Sequence, residues 1–355
     1  MLKCNQRSSL LCLFFCLYGL STITAEPEAP IADDGGLTRE QVLLYGGIPY
    51  ASVYLSALSE VLIPQPYVSY AFAAINLGGT IPHVCIDPAT GLGEMGASIA
   101  SYGAGFALAA ESGFYGDATL SNMFMNLGLK TNMWSDYEGY AKAREMAKSG
   151  EYASEYKPEG YLDLLAAPWQ AEELGMPSVW IPILANAAGK VFQDYYSTGG
   201  ATAVWNTGKA YIGQSEVPIG LGLVSTMAIA LVSYTATGIG EEAVFRGIGY
   251  DEMRISLGIV PAKIIDAIGF PAAHLPQYIQ AGESPAAILE TMGLTGASTI
   301  GLQWAYDEGG LHASVAQHMW IDVIASVVNY LFKAGIARDR DTSLSLNIQF
   351  PIWPK

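Results

Sequence analysis

The 355-residue sequence predicts an all-α protein: a polytopic transmembrane helical bundle enclosing a polar site, with an N-terminal signal segment and a short strand-like C-terminal tail. Three observations carry that expectation. Only 14% of the residues are charged and 51% are hydrophobic, whereas an ordinary soluble domain has about 25% charged residues. The apolar residues are gathered into uncharged segments, and one of them, Val217 to Gly240, is 24 residues long, where a bilayer core needs about 20. The later apolar segments also carry ionisable residues, which are expensive in hydrocarbon and by default face a polar interior.

Residues 1–25 read as a signal peptide for insertion through the secretory route. Lys3 and Arg7 form a basic start, Leu10 to Leu20 a short apolar run, and Thr24-Ala25 a small-residue cleavage site before Glu26. A retained first membrane helix is the competing reading, and the run is short for a span. Cys4, Cys12 and Cys16 fall in this segment, which leaves Cys85 alone and without an intrachain disulfide partner.

Residues 26–129 form an N-terminal apolar helical region. Gln41 to Ser59 and Val61 to Ile86 are uncharged and separated by Glu60, and Pro64 and Pro66 predict a turn between two helices. Met95 to Ala110 is rich in Gly and Ala, which suits a closely packed membrane helix or a buried soluble one. Ala118 to Leu129 is shorter. The mixed charges of residues 130–173 predict a charged loop or small aqueous subdomain. Within it, Ser135 and Glu138 have capping-box spacing for a helix to about Ser149.

Residues 174–333 hold the remaining apolar segments. Leu174 to Gly189 carries Pro177 and Pro182, and Val217 to Gly240 follows. Ile264 to Tyr278 contains Asp266 and His274, Thr291 to Tyr306 is uncharged, and Gly309 to Phe332 contains His312, His318 and Asp322. In the tail, residues 334–355, Leu344, Leu346, Ile348, Phe350 and Ile352 alternate with Ser345, Asn347, Gln349 and Pro351, a strand-like pattern. With 17 basic residues against 33 acidic ones, nucleic acid is excluded as a partner, because phosphates require clustered Lys and Arg. The partner this composition suits is the lipid bilayer.

The candidate chemistry lies in three places. Glu241 and Glu242 end the strongest span, and Arg246 is one turn beyond Glu242, so those two can pair on one helix face. Glu241 projects about 100° away from that face and is free of the pair, available as a base. Phe270 and His274 form the second place. His318 and Asp322 form the third, four residues apart on one face, where the carboxylate can orient the imidazole or join it as a ligand. His312 is about 240° round the helix from His318 and is expected to face elsewhere. His83 reads as a core histidine.

In order, EExxxR, FxxxH and HxxxD resemble the signature of the CAAX-protease and bacteriocin-processing (CPBP) family, which includes the type II CAAX prenyl endopeptidases. Glu241, Glu242 and Arg246 match the first motif, Phe270 and His274 the second, His318 and Asp322 the third. The resemblance implies a bundle of membrane helices around a polar cavity and a peptidase acting on membrane-associated proteins or peptides. Within it, Glu241 would activate water and His274 would help to hold that water. His318 and Asp322 would stabilise the oxyanion or complete a metal site, and Glu242 and Arg246 would support them. The family has been described both as zinc-dependent and as glutamate-dependent. A zinc ion held by Glu241, His274, His318 and Asp322 is therefore one expectation and a glutamic endopeptidase the other. The HExxH of zinc proteases is absent, and Asp322 stands where Asn is frequent. Two other readings use the same residues: a catalytically silent membrane scaffold and a proton-coupled transporter.

Overall fold

Thr38 opens the fold with a capping box. Its hydroxyl accepts from the Gln41 backbone N–H at 3.3 Å, and its own N–H donates to the Gln41 side chain at 2.9 Å. The structure, a computed structural model, describes residues 36–63, 67–111, 118–149, 160–197, 209–212, 215–280 and 282–333. The predicted signal segment and the strand-like tail lie outside these residues.

From Thr38 a helical turn Arg39–Gln41, a π-helical turn Val42–Gly47 and α1 (Ile48–Leu62) run on without a break. The helix stops just short of Pro64, and α2 (Tyr67–Gly79) begins after Pro66. Then come α3 (Ile81–Ile86), α4 (Pro88–Glu111) and the long α5 (Ala118–Ser149). Short helices α6 (Tyr161–Ala166) and α7 (Ala171–Leu174) lead to α8 (Pro177–Ser197). An antiparallel pair of strands, β1 (Lys209–Ile212) and β2 (Ser215–Pro218), precedes α9 (Ile219–Glu242); nothing in the sequence reading anticipated this pair. A second π-helical turn, Ala243–Tyr250, continues α9 into α10 (Asp251–Leu257). The chain closes with α11 (Ile259–Gln280) and α12 (Pro285–Lys333). In α12 the helical dihedrals fail at Gly309 and Gly310, and Gly310 has φ 63°, a left-handed conformation that glycine adopts without a steric penalty. The apolar segments on either side of this break are thus two limbs of one kinked helix.

The described residues are nearly all helical. Helix α12 packs against α8, α9 and α11, while α5 packs against α4 and α9. Helix α5 runs parallel to the chain from α9 to α10, and side chains tie them in step: Asn126 to Thr237 at 3.0 Å, Lys130 to Glu241 at 2.6 Å, then Arg144 to Asp251 and Tyr140 to Glu252.

The polarity of the fold is inverted relative to a soluble protein. Val224 and Val232 are each 64% exposed and Leu289 72%, and Ile264, Ile268 and Ile300 are also exposed, while Glu242, Arg246, Asp266 and Gln303 are fully buried. In water that arrangement would forfeit the burial of large apolar side chains and desolvate charges as well. In lipid it is the arrangement that the solvent favours. Two stretches among the described residues, Arg39–Ser59 and Ile219–Leu257, are long and apolar enough to cross a membrane.

Residues 130–173 depart from their expectation. The boundary at 130 falls inside α5, and the described residues of this stretch are not a solvated loop. Their charges are paired: Lys130 with Glu241, Lys142 with Asp87 and Glu138, Arg144 with Asp251. Trp134 and Leu164 are buried in one core cluster with Ile239 and Val315. Mixed charge pointed to solvent in the sequence, but Lys130, Lys142 and Arg144 each have an acid waiting on a neighbouring turn or helix.

Candidate active site

The π-helical turn directly after Glu241-Glu242 is buried throughout. Such turns widen the helix locally and recur at functional sites. At its entrance the Arg246 guanidinium donates to Glu242 Oε1 at 3.0 Å. The same Glu242 oxygen accepts from His318 Nδ1 at 2.6 Å. Arg246 Nε lies 3.6 Å from Asp266 Oδ2, an oxygen that also accepts from Gln303 at 2.9 Å. The Arg246 guanidinium carbon sits 4.3 Å over the Phe270 ring, a cation–π contact strengthened by desolvation. One buried cation therefore holds two buried carboxylates and a ring from two separate helices, α9 and α11.

Glu241 turns the other way. Its Oε1 accepts from Lys130 Nζ at 2.6 Å, and both residues are buried. Gly240 makes this contact feasible: a side chain there would bring its Cβ to 2.9 Å from Lys130 Cα, so only glycine lets α9 close onto α5 at this level. Glu241 Oε2 lies 3.9 Å from His274 Nε2 and 3.7 Å from His318 Nε2. Both gaps exceed a direct hydrogen bond and are short enough for one water to touch all three groups.

Hydrogen-bond accounting assigns the rings. His274 Nδ1 lies 2.9 Å from the Phe270 carbonyl, which only accepts, so Nδ1 carries a proton and Nε2 is the nitrogen that faces Glu241. His318 has Glu242 at Nδ1, and at Nε2 it has Asp322 Oδ2 at 3.5 Å and Glu241 Oε2 at 3.7 Å. With carboxylates facing both nitrogens, the imidazolium satisfies both sides and the neutral ring only one. Phe270 packs against both histidines, with ring centroids 4.9 and 5.9 Å apart.

The structure therefore brings Glu241, Glu242, Arg246, Phe270, His274, His318 and Asp322 together. His312 is half-buried on the same helix as His318. Lys130 escaped the sequence reading because it was taken as the first residue of a charged loop. The signal was a lone lysine ending an uncharged stretch, Ala118 to Leu129, one that a helix could carry into the bundle. Asp266 was visible as a charge in an apolar segment, but without its partners Arg246 and Gln303 it had no role.

Zinc, which the resemblance implies, does not fit these side chains as arranged. Lys130 and Glu242 leave Glu241 Oε2 and His318 Nε2 open, but no three donors of this set gather closely enough for one ion. Among the described residues, the one group of three His or carboxylate donors lying within 4.8 Å of one another is elsewhere in the molecule, whereas zinc needs its donors at about 2.0–2.2 Å from a common point.

The apolar exterior and the buried carboxylate–histidine cluster are those of a membrane-associated helical protein with a polar interior. Residues 223–324 match the family model described as Type II CAAX prenyl endopeptidase Rce1-like, so the family suspected from the three motifs is the family matched, over a segment that contains all three. That family is one of membrane-embedded peptidases. No curated protein and no solved structure matches the chain.

Proposed function

We propose that this protein is an intramembrane endopeptidase that hydrolyses peptide bonds of membrane-associated proteins or peptides, with Glu241 as the general base. The observation that carries the reading is the position of Glu241 Oε2, 3.7 and 3.9 Å from two histidine Nε2 atoms. A water there donates one proton toward Glu241 and accepts or donates at the rings. As the water oxygen bonds to the scissile carbonyl carbon, Glu241 takes its proton. The charge developing on the carbonyl oxygen is stabilised by the His318 imidazolium, itself held by Glu242 and Asp322. The Glu241 proton then passes to the leaving amine as the C–N bond breaks. His274, oriented by the Phe270 carbonyl, positions the water. Multi-pass insertion is part of the same proposal, supported by the apolar exterior of α8, α9, α11 and α12.

The scaffold reading has one observation in its favour, the Lys130 ammonium on Glu241, which binds half of the carboxylate that would act as base. A single comparison separates the two. Detergent-purified wild type, Glu241→Gln and His274→Ala are incubated with a library of membrane-derived peptides, with melting curves run alongside. Loss of cleavage by about 10²-fold or more in folded variants supports the peptidase. Equal cleavage by wild type and Glu241→Gln would remove Glu241 as the base, and no cleavage by any of the three would leave the scaffold.

A further inference from the structure

A second polar cluster lies outside the motif site, where α3 and the start of α4 meet α5. His83, with a side chain 0% exposed, places Nδ1 at 2.8 Å from Ser135 Oγ and 3.3 Å from Glu94 Oε2. Together with Glu138, these residues bring one donor atom each within 4.8 Å of one another. We propose that His83, Glu94 and Glu138 bind a first-row divalent metal ion that clamps α3 and α4 to α5.

Four features support the assignment. The fully buried His83 ring sets its Nδ1 3.3 Å from the buried Glu94 Oε2, so a nitrogen and an oxygen donor are held side by side out of solvent. Desolvated donors of this kind are costly unless something fills them. The local charge is also unbalanced. Glu94, Glu138 and Asp87 are three acids facing one cation, Lys142, which pairs with Asp87 and Glu138 at 2.7 Å each, and a divalent ion offsets the remainder. Lys142 holds Glu138 Oε1 and leaves the other oxygen to bind, which is how an outer partner orients a ligating carboxylate. Finally, α3 is seated directly on α5. A Cβ at Gly139 would fall 2.6 Å from His83 Cβ, so any other residue there pushes the histidine out. One imidazole with two carboxylates suits zinc or manganese(II) better than calcium, which takes oxygen donors only.

The test needs no substrate. The full chain is purified in detergent, stripped with a chelator, reloaded with ZnCl2 or MnCl2 and desalted, and metal content and thermal melting are measured. One retained equivalent and a raised melting temperature are expected. Glu138→Gln, a conservative change at a partly exposed residue, should weaken binding by about 10–100-fold, as should His83→Asn. Glu241→Gln should retain the full equivalent. No retained metal with unchanged melting would overturn the proposal and leave a proton shared between Glu94 and Glu138 in its place. Metal lost in Glu241→Gln and kept in Glu138→Gln would also overturn it, by moving the ion to the motif site. If His83→Asn does not fold, Glu138→Gln alone decides.

Discussion

Helix α5 carries two polar clusters, one at Lys130 and one at Glu138, about 12 Å apart along its axis. They are built differently. The Lys130 end collects Glu241, His274 and His318 from α9, α11 and α12, each more than a hundred residues of chain from Lys130, and its carboxylates face Lys130, Arg246 or His318. The Glu138 end collects His83 and Glu94 from the neighbouring α3 and α4, and its acids outnumber its cation. A site whose carboxylates each face a cation or an imidazole can hold one of them poised among histidines. A site left with spare donors and surplus acid is one that calls for an ion from outside. The two clusters therefore divide between chemistry and structure, and substitutions can break or sharpen that division.

The largest effect is expected at Arg246. Removing it leaves Glu242 and Asp266 fully buried without a cation, and breaking such an arrangement costs about 3–5 kcal/mol. Arg246→Met should melt far below wild type in detergent or fail to accumulate as folded protein. A melting temperature within a degree or two of wild type would mean that the motif arginine is not what holds these helices together.

Lys130 comes next and tests the role of Glu241. Lys130→Met and Glu241→Gln should each destabilise the protein, because each strands a buried partner, and the double variant should recover a coupling of about 1–2 kcal/mol. The sequence left Glu241 free of the Glu242–Arg246 pair, and the structure gives it Lys130 as a partner instead. Additive melting shifts would show that the 2.6 Å contact contributes no coupling and leave Glu241 independent of α5.

At the other cluster the effect should be small in metal-free protein. Glu138→Gln leaves Lys142 with Asp87, and its cost should stay within about 1 kcal/mol. A loss comparable to that of Arg246→Met would erase the distinction drawn between the two ends.

The smallest effect is one of pH. The Lys142 ammonium beside Asp87 holds its carboxyl well below the usual carboxylate range. Because the folded value lies below the unfolded one, the contribution is complete above about pH 4 and declines as the pH falls toward the folded value. The melting difference between wild type and Asp87→Asn should therefore be constant from pH 8 to pH 5 and shrink below about pH 4. A difference that grows on acidification would contradict the pairing.

The sequence by itself determined the helical class, the helix break between α1 and α2, and the i,i+4 pairing of Glu242 with Arg246. These follow from local periodicity, proline and helix geometry. Membrane character was also legible, since uncharged runs such as Val217 to Gly240 are a property of composition. The order of the three motifs singled out seven residues that the fold brings together. Only the tertiary structure decided what each charge meets. Lys130 looked like the start of an aqueous loop because a lysine in sequence carries no record of an acid 111 residues away. Glu242 looked like a partner for Arg246 alone until α12 brought His318 against it. His83 read as a core histidine and is one, buried against Ser135, but its acidic neighbours Glu94 and Glu138 came only with the fold, where Gly139 lets α3 onto α5. The reason is common to all three: a local pattern specifies which face a side chain occupies, whereas the free energy of a buried charge depends on the group opposite, and that group arrives on another helix.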